Sequence, residues 1–418
     1  MRRPAPLHLP LLVALLLLSL PARQAIGASA DCVGCHDRAT PDIVMDWRNS
    51  RHAQEDVGCS ACHKGQHRSA EDVRSLQTIT AHTCAGCHER QMIQFSAGKH
   101  AKAWAAFEAM PAAHALPMAL GPGMKGCGGC HKIGLKSEAT IARLKEQGSV
   151  FGHASCDGCH TRHTFSVMEA RQPQACQTCH MGFDHPQWEM YSASKHGVRT
   201  LLKQNGTLPS NLPSPRCQDC HMENGNHEVR TAWGFLAVRL PLPADPQWKA
   251  DQTTILQALG VLDPAGQPTA RLEVVRDADV ARLTQEAFDA ERNRMLEVCA
   301  RCHSENFARA ELAKGDDMVR ESDRLLAEAI RTVAALYADG VLSRPPGYAH
   351  AFPDLLSFHD APTAIEQKLF EMHLEHRMRA FQGAFHMNPD YALWYGWSGL
   401  VRDLAEIREM AAALRRAR

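Results

Sequence analysis

Apolar residues run along this chain in three rhythms. Leu11 to Leu20 form a nearly unbroken apolar block behind Arg2 and Arg3, and Ala28-Ser29-Ala30 closes it with small residues. The block is too short to span a bilayer comfortably, so 1–30 is expected to be a cleaved signal peptide. From Thr231 to Arg276 the prolines 241, 243, 246, 264 and 268 interrupt any period, which predicts a connection with little regular structure. Beyond Asp277 the period is helical. Val280, Leu283, Ala287 and Ala290 lead toward Cys299, and Met318, Leu326, Ile330, Val333 and Tyr337 follow with no Gly or Pro between Asp316 and Asp339. Further helices are expected from about Pro362 to Gln382 and from about Gly399 to Ala417. The expected organisation is a leader at 1–30, a first region at 31–230, a Pro-rich connection at 231–276 and a bundle of long helices at 277–418.

Composition narrows the chemistry. The chain has 418 residues, 44% of them hydrophobic and 22% charged, so it can build packed structure. Lys plus Arg number 46 and Asp plus Glu 46, a balance that gives no reason to expect nucleic acid as a partner. All 16 Cys fall in Cys-x-x-Cys-His, which occurs eight times. The cysteine pairs are Cys32 and Cys35, Cys59 and Cys62, Cys84 and Cys87, Cys127 and Cys130, Cys156 and Cys159, Cys176 and Cys179, Cys217 and Cys220, and Cys299 and Cys302. The histidines that follow are His36, His63, His88, His131, His160, His180, His221 and His303. In this motif two thiols add to the haem vinyl groups and the histidine turns under the ring as iron ligand. A disulfide scaffold or structural zinc does not require a histidine after every pair. Eight covalent haems c are therefore expected. Seven would crowd into 31–230, where porphyrin replaces much of the side-chain core. The fold class expected is mostly α, with short helices and loops around the haems, almost no strand, and a C-terminal helical bundle carrying the eighth.

A second repeat lies beneath the first. Trp47 with Ser50-Arg51-His52, Phe95 with Gly98-Lys99-His100, and Tyr191 with Ser194-Lys195-His196 each place an aromatic five residues before a small-basic-His triplet. A free histidine repeated in this way suggests a distal ligand to another haem. The distal candidates are His52, His67, His82, His100, His153, His163, His196 and His227. Histidines beyond the motifs, His114 among them, are numerous enough to cap all eight irons or to leave one open, so counting does not separate an electron conduit from an enzyme.

Three further sites carry possible chemistry. Asp184-His185-Pro186 follows the sixth motif. A carboxylate beside an imidazole can relay protons at neutral pH; equally, Asp184 can cap a turn while His185 ligates a haem. Tyr391 follows the turn signal Asn388-Pro389-Asp390, read as a turn between helices that presents the tyrosine at a helix end, where Trp394 and Tyr395 also fit simple packing. His373 and His376, with Glu371 and Glu375, imitate a metal site and are read as a helix face near haem propionates.

These residues resemble the octahaem hydroxylamine oxidoreductases, whose relatives include hydrazine dehydrogenases and octahaem nitrite reductases. The likeness rests on the eight motifs, on the run from Gly152 to Arg199 with its Cys-His-Met-Gly-Phe-Asp-His-Pro and Ser-Lys-His-Gly, and on the late Asn-Pro-Asp-Tyr. It covers nearly all of the chain after 1–30 and is looser before Cys127. The resemblance implies that the haem on Cys127 and Cys130, with His131, is catalytic and lacks a distal protein ligand. It implies that Asp184 and His185 line the distal pocket, and that Tyr391 bonds to the catalytic porphyrin of a neighbouring subunit in a homotrimer. Reductive members lack that tyrosine. The implied function is oxidation of hydroxylamine or hydrazine to nitric oxide or nitrite in a bacterial periplasm, with electrons passing to a cytochrome or quinone-linked acceptor. The alternatives are a nitrite or hydroxylamine reductase, and a non-catalytic electron carrier.

Overall fold

The computed structural model describes residues 30–65, 67–73, 76–109, 126–234, 236, 239, 241–278, 281, 283–344, 351–356 and 360–417. The expected signal peptide, apart from Ala30, and His114 lie outside these residues. Among the described residues there is no β-strand, and an isolated bridge joins Leu262 and Pro268. The fold is helical, with short segments first and long ones after.

Several motifs begin a short helix of their own, such as Cys59–Cys62, Cys127–His131 and Cys217–His221. Each is one turn or little more, too short to be stable in isolation. The aromatic-small-basic-His repeat has a local structural cause. Ser50 accepts a hydrogen bond from the Ala53 amide and Ser194 one from the Gly197 amide, so each serine N-caps a helix whose second residue is the histidine. Gly197 is required there, because a Cβ would stand 1.9 Å from the Tyr191 carbonyl oxygen.

The C-terminal part packs as an ordinary protein core. Ser304 caps the 34-residue helix Glu305–Ala338. Helices Pro246–Ala258 and Ser398–Arg416 lie against it, burying Ile255, Leu326, Ile330, Val333, Leu336, Leu400 and Ile407. The helix expected from Pro362 to Gln382 runs as Ala364–Glu371, a π-helical segment Met372–Arg377, and Met378–Phe385. The Pro-rich connection departs from expectation. It contains Pro246–Ala258 and Arg271–Asp277, because Asp245 caps the first with Pro246 in its opening turn, and apolar residues at helical spacing dock on Glu305–Ala338. Proline there starts a helix instead of preventing one.

A buried ion pair ties this bundle together. Both Nε and Nη2 of Arg377 donate to Asp323 Oδ1, at 2.9 and 2.7 Å, and Nη1 donates to the Leu236 carbonyl. Asp323 Oδ2 accepts from Trp248 Nε1 and Gln252 Nε2. Both charged residues are completely buried.

The helix face carrying His373 and His376 does not border the haem region, contrary to the sequence reading. His376 Nδ1 bonds Asp403 Oδ2 at 2.5 Å, Glu371 pairs with Lys368, and Glu375 with Arg379. The π-helical segment turns these side chains into the bundle. His373 is fully buried with neither ring nitrogen hydrogen bonded. Burial, reinforced by the Arg377 charge, pushes its pKa down to about 3. The unfolded chain therefore binds a proton that the folded chain refuses, and stability falls as pH drops from about 6.5 toward 3. A His373→Leu variant is expected to lose less stability over that window, read as the urea midpoint against pH. An unchanged pH dependence would contradict this assignment.

Candidate active site

A single cavity of about 3210 Å³ is lined by the first seven motifs and by Cys299 of the eighth. This is far beyond the roughly 300–1,000 Å³ of a small-molecule pocket. Its walls are predominantly apolar, as a stack of porphyrins requires.

The motif histidines in and beside it are paired. His36 faces His67 at a ring-centroid distance of 5.7 Å, His88 faces His52 at 6.2 Å, and His63 faces His163 at 6.2 Å. His160 faces His227 at 6.4 Å, His180 faces His100 at 6.0 Å, and His303 faces His196 at 6.1 Å. An iron about 2 Å from each ring nitrogen, the usual metal–imidazole bond, places two centroids about 6 Å apart. The residues thus fit covalent haem, with two thiols and one histidine per motif and a second imidazole at bridging distance.

The second nitrogens agree with this. His36 Nδ1 bonds Thr40 Oγ1 at 2.8 Å, His131 Nδ1 the Ala103 carbonyl at 2.8 Å, and His180 Nδ1 Gln187 Oε1 at 3.2 Å. Occupying Nδ1 leaves Nε2 for a metal and fixes the ring's orientation. Burial pushes the pKa of His180 down to about 3 and that of His221 to about 4, so these rings are neutral and able to ligate.

Two distal candidates are placed elsewhere. His82 is exposed and faces no motif histidine among the described residues. His153 is buried, but its Nε2 bonds the Ser149 carbonyl at 2.8 Å and its ring meets no motif histidine. The position opposite His221 belongs instead to His386, at 6.3 Å, with its Nδ1 on the Gln382 carbonyl. Proximity to a motif in sequence is a poor guide here. His386 closes the Met378–Phe385 helix and reaches the seventh motif only through the fold. Its one signal in sequence is its place in the His-Met-Asn-Pro-Asp-Tyr stretch.

The fourth motif has different surroundings. Opposite His131, at 6.4 Å and nearly perpendicular, stands His185, whose Nδ1 lies 3.1 Å from Asp184 Oδ2. His185 is also 6.1 Å from His180. Burial would raise the Asp184 carboxyl, but the hydrogen bond and charge of His185 outweigh it and hold it below the usual carboxylate range. An ionised carboxylate on an imidazole, over the fourth motif, can accept protons and pass them on.

Tyr391 does not line this cavity within its own chain. Asn388 Oδ1 caps its amide at 3.1 Å and Asn388 Nδ2 bonds the Met190 carbonyl. The ring packs on Tyr395 at 4.9 Å, beside the largely exposed Trp394. Tyr391 is thus part-buried outside the cavity, with exposed Trp394 and Tyr395 beside it, and Asn388 ties its turn to the helix Gln187–Ala193.

This architecture is that of a multihaem c-type cytochrome. The chain matches the family model described as seven times multi-haem cytochrome CxxCH over 29–239 and 273–346, and it belongs to that family. It is 27% identical over 92% of its length to a probable nitrite reductase-hydroxylamine oxidoreductase fusion protein of Kuenenia stuttgartiensis, and spans about half (51%) of that relative. A chain of the Kuenenia stuttgartiensis reducing HAO-like protein complex superposes with a TM-score of 0.62 at 26% identity, covering 92% of this chain and 85% of the other. A hypothetical multiheme protein, at 18% identity and a TM-score of 0.63 over 94% of this chain and 97% of its own, shares the fold. These relatives set the chain among the multihaem cytochromes related to hydroxylamine oxidoreductase (HAO).

Proposed function

We propose that this protein is an exported octahaem cytochrome c that oxidises hydroxylamine or hydrazine over the fourth motif, Cys127 to His131. The observation that carries the reading is the Asp184–His185 pair standing opposite His131. A haem iron bound there would supply Lewis acidity and an electron acceptor. His131 would be its proximal ligand, held by the Ala103 carbonyl. Oxidation of hydroxylamine to nitric oxide releases three electrons and three protons. His185 would take the protons at Nε2 while Asp184 stabilises the imidazolium at Nδ1, and electrons would leave one at a time through the neighbouring histidine-paired haems. The leader at 1–30 supports a periplasmic location, and the final acceptor would be a cytochrome or quinone-linked protein.

Direction rests on Tyr391. Its place outside its own chain's cavity, beside exposed Trp394 and Tyr395, suits a bond to the catalytic porphyrin of a neighbouring subunit, closing a homotrimer by a heterologous contact. A second reading, reduction of nitrite or hydroxylamine at the same site, draws on the two Kuenenia relatives, whose descriptions include nitrite reductase and a reducing HAO-like protein.

The test is to assay fully haem-loaded protein both ways: hydroxylamine or hydrazine with an electron acceptor, and nitrite or hydroxylamine with a reduced donor. Turnover in the first is expected, together with a Tyr391 peptide joined to the haem peptide of Cys127 and Cys130 in mass spectra. Reduction with a free Tyr391 would favour the second reading. Inactivity in both directions would overturn both.

A further inference from the structure

The π-helical segment Met372–Arg377 gathers side chains that an ordinary helix would separate. Glu371 and His376 are five residues apart and would lie on different sides of an α-helix with 3.6 residues per turn. The wider π turn swings them to one side, and such segments are frequent at functional sites. Asp403 meets them from the helix Ser398–Arg416. One ligand atom from each of Glu371, His376 and Asp403 lies within 4.8 Å of the other two. His373, the other histidine of the sequence pattern, takes no part in this group. Gly399 makes room for it. A Cβ there would stand 2.4 Å from His376 Cδ2, so the imidazole packs directly on the glycine backbone with Nδ1 turned to Asp403.

We propose that Glu371, His376 and Asp403 form a site for a divalent first-row metal ion, zinc above manganese, that clamps the π-helical segment to Ser398–Arg416. Two observations beyond the clustering point to a cation. Asp403 is completely buried, yet its Oδ1 has no hydrogen-bond partner among the described residues. Buried charges in proteins are paired or coordinate metals. The charges are also out of balance. The carboxylates of Glu371, Asp403 and Glu406 converge on one ammonium, Lys368 Nζ, at 2.8, 3.8 and 3.0 Å. The 3.8 Å contact is too long to be a hydrogen bond to Asp403 Oδ1. Arg402 reaches Glu406 only at 3.8 Å, from the exposed rim.

One imidazole nitrogen and two carboxylates are donors that zinc accepts, and zinc binds such sites more tightly than manganese does. Bonds of about 2.0–2.2 Å set ligand atoms roughly 3.4 Å apart in a tetrahedron. Rotation of the partly exposed Glu371 side chain closes the set to that spacing. The ion takes the Nδ1 lone pair of His376, and Asp403 Oδ1 becomes its second donor. The proton shared by Nδ1 and Asp403 is released to solvent, and no electrons move. Lys368 leaves Glu371 and keeps Glu406, while water completes the four ligands. The ammonium is therefore the site's internal competitor.

The experiment uses the full, haem-loaded chain, stripped with a chelator and taken through equilibrium dialysis against zinc chloride, with bound metal counted by plasma mass spectrometry. Manganese chloride is the weaker-binding control. Wild type is expected to take up one zinc per chain that Glu371→Gln and His376→Gln do not. Zinc should raise the urea midpoint of wild type and leave those of the two variants where they are. Lys368→Met should tighten zinc binding by roughly fivefold or more, because the competing ammonium is gone. Wild type that binds no zinc would overturn the proposal. So would zinc bound equally by Glu371→Gln and His376→Gln, which would place it elsewhere, or a Lys368→Met affinity no higher than that of wild type. If the buried His376→Gln fails to fold, the partly exposed Glu371→Gln decides. The site is separate from the fourth motif, so its failure leaves the proposed function standing.

Discussion

Replacing Asp184 with Asn is expected to slow turnover of hydroxylamine by about 10²–10⁴-fold, the usual contribution of a positioned acid–base group. The asparagine keeps the shape of the side chain but removes the charge that stabilises a protonated His185. The pH dependence has a definite sign. The Asp184 carboxyl is held below the usual carboxylate range, so its charge is present at ordinary pH and is lost only as pH falls through that lowered value. Wild-type turnover should therefore show no loss attributable to Asp184 above about pH 4. An Asp184→Asn protein with wild-type kcat would remove the carboxylate from the mechanism.

The largest effect on stability is expected far from the haems. Arg377→Met leaves Asp323 buried with two remaining donors, Trp248 and Gln252, and no counter-charge. Stranding a buried charge in this way costs about 3–5 kcal/mol. The double variant Asp323→Leu with Arg377→Met should recover much of that loss, since a matched apolar pair has no stranded charge. Urea unfolding followed through the helical signal checks both. A single variant with an unchanged midpoint would mean that the bundle does not depend on the pair.

Legibility from sequence was uneven, for physical reasons. Covalent attachment demands contiguous residues, so all sixteen cysteines and their histidines can be read directly from the chain. Long amphipathic helices announce themselves by period, and Glu305–Ala338 and Ser398–Arg416 lie close to where the apolar spacing put them. Distal pairing is a tertiary property. His52 and His196 each follow a local aromatic and a capping serine, and with His100 they stand opposite motif histidines, whereas His386 meets His221 only through folding. His153 misled because a buried histidine beside a motif can be satisfied by a carbonyl. The prolines of 231–276 misled because Pro246 lies at a helix N-terminus, where its missing N–H costs nothing. The inward turn of His373 and His376 depends on a π-helical segment that simple periodicity does not reveal.

The most direct test of the central claim, that the fourth motif holds the reactive haem, is a nitric oxide titration of the ferric, haem-loaded chain with haem peptides identified by mass spectrometry. One nitric oxide per chain is expected, and binding should change when His131 is replaced by Gly while the other seven haems keep their spectra. Binding at any other motif, or at none, would contradict the account.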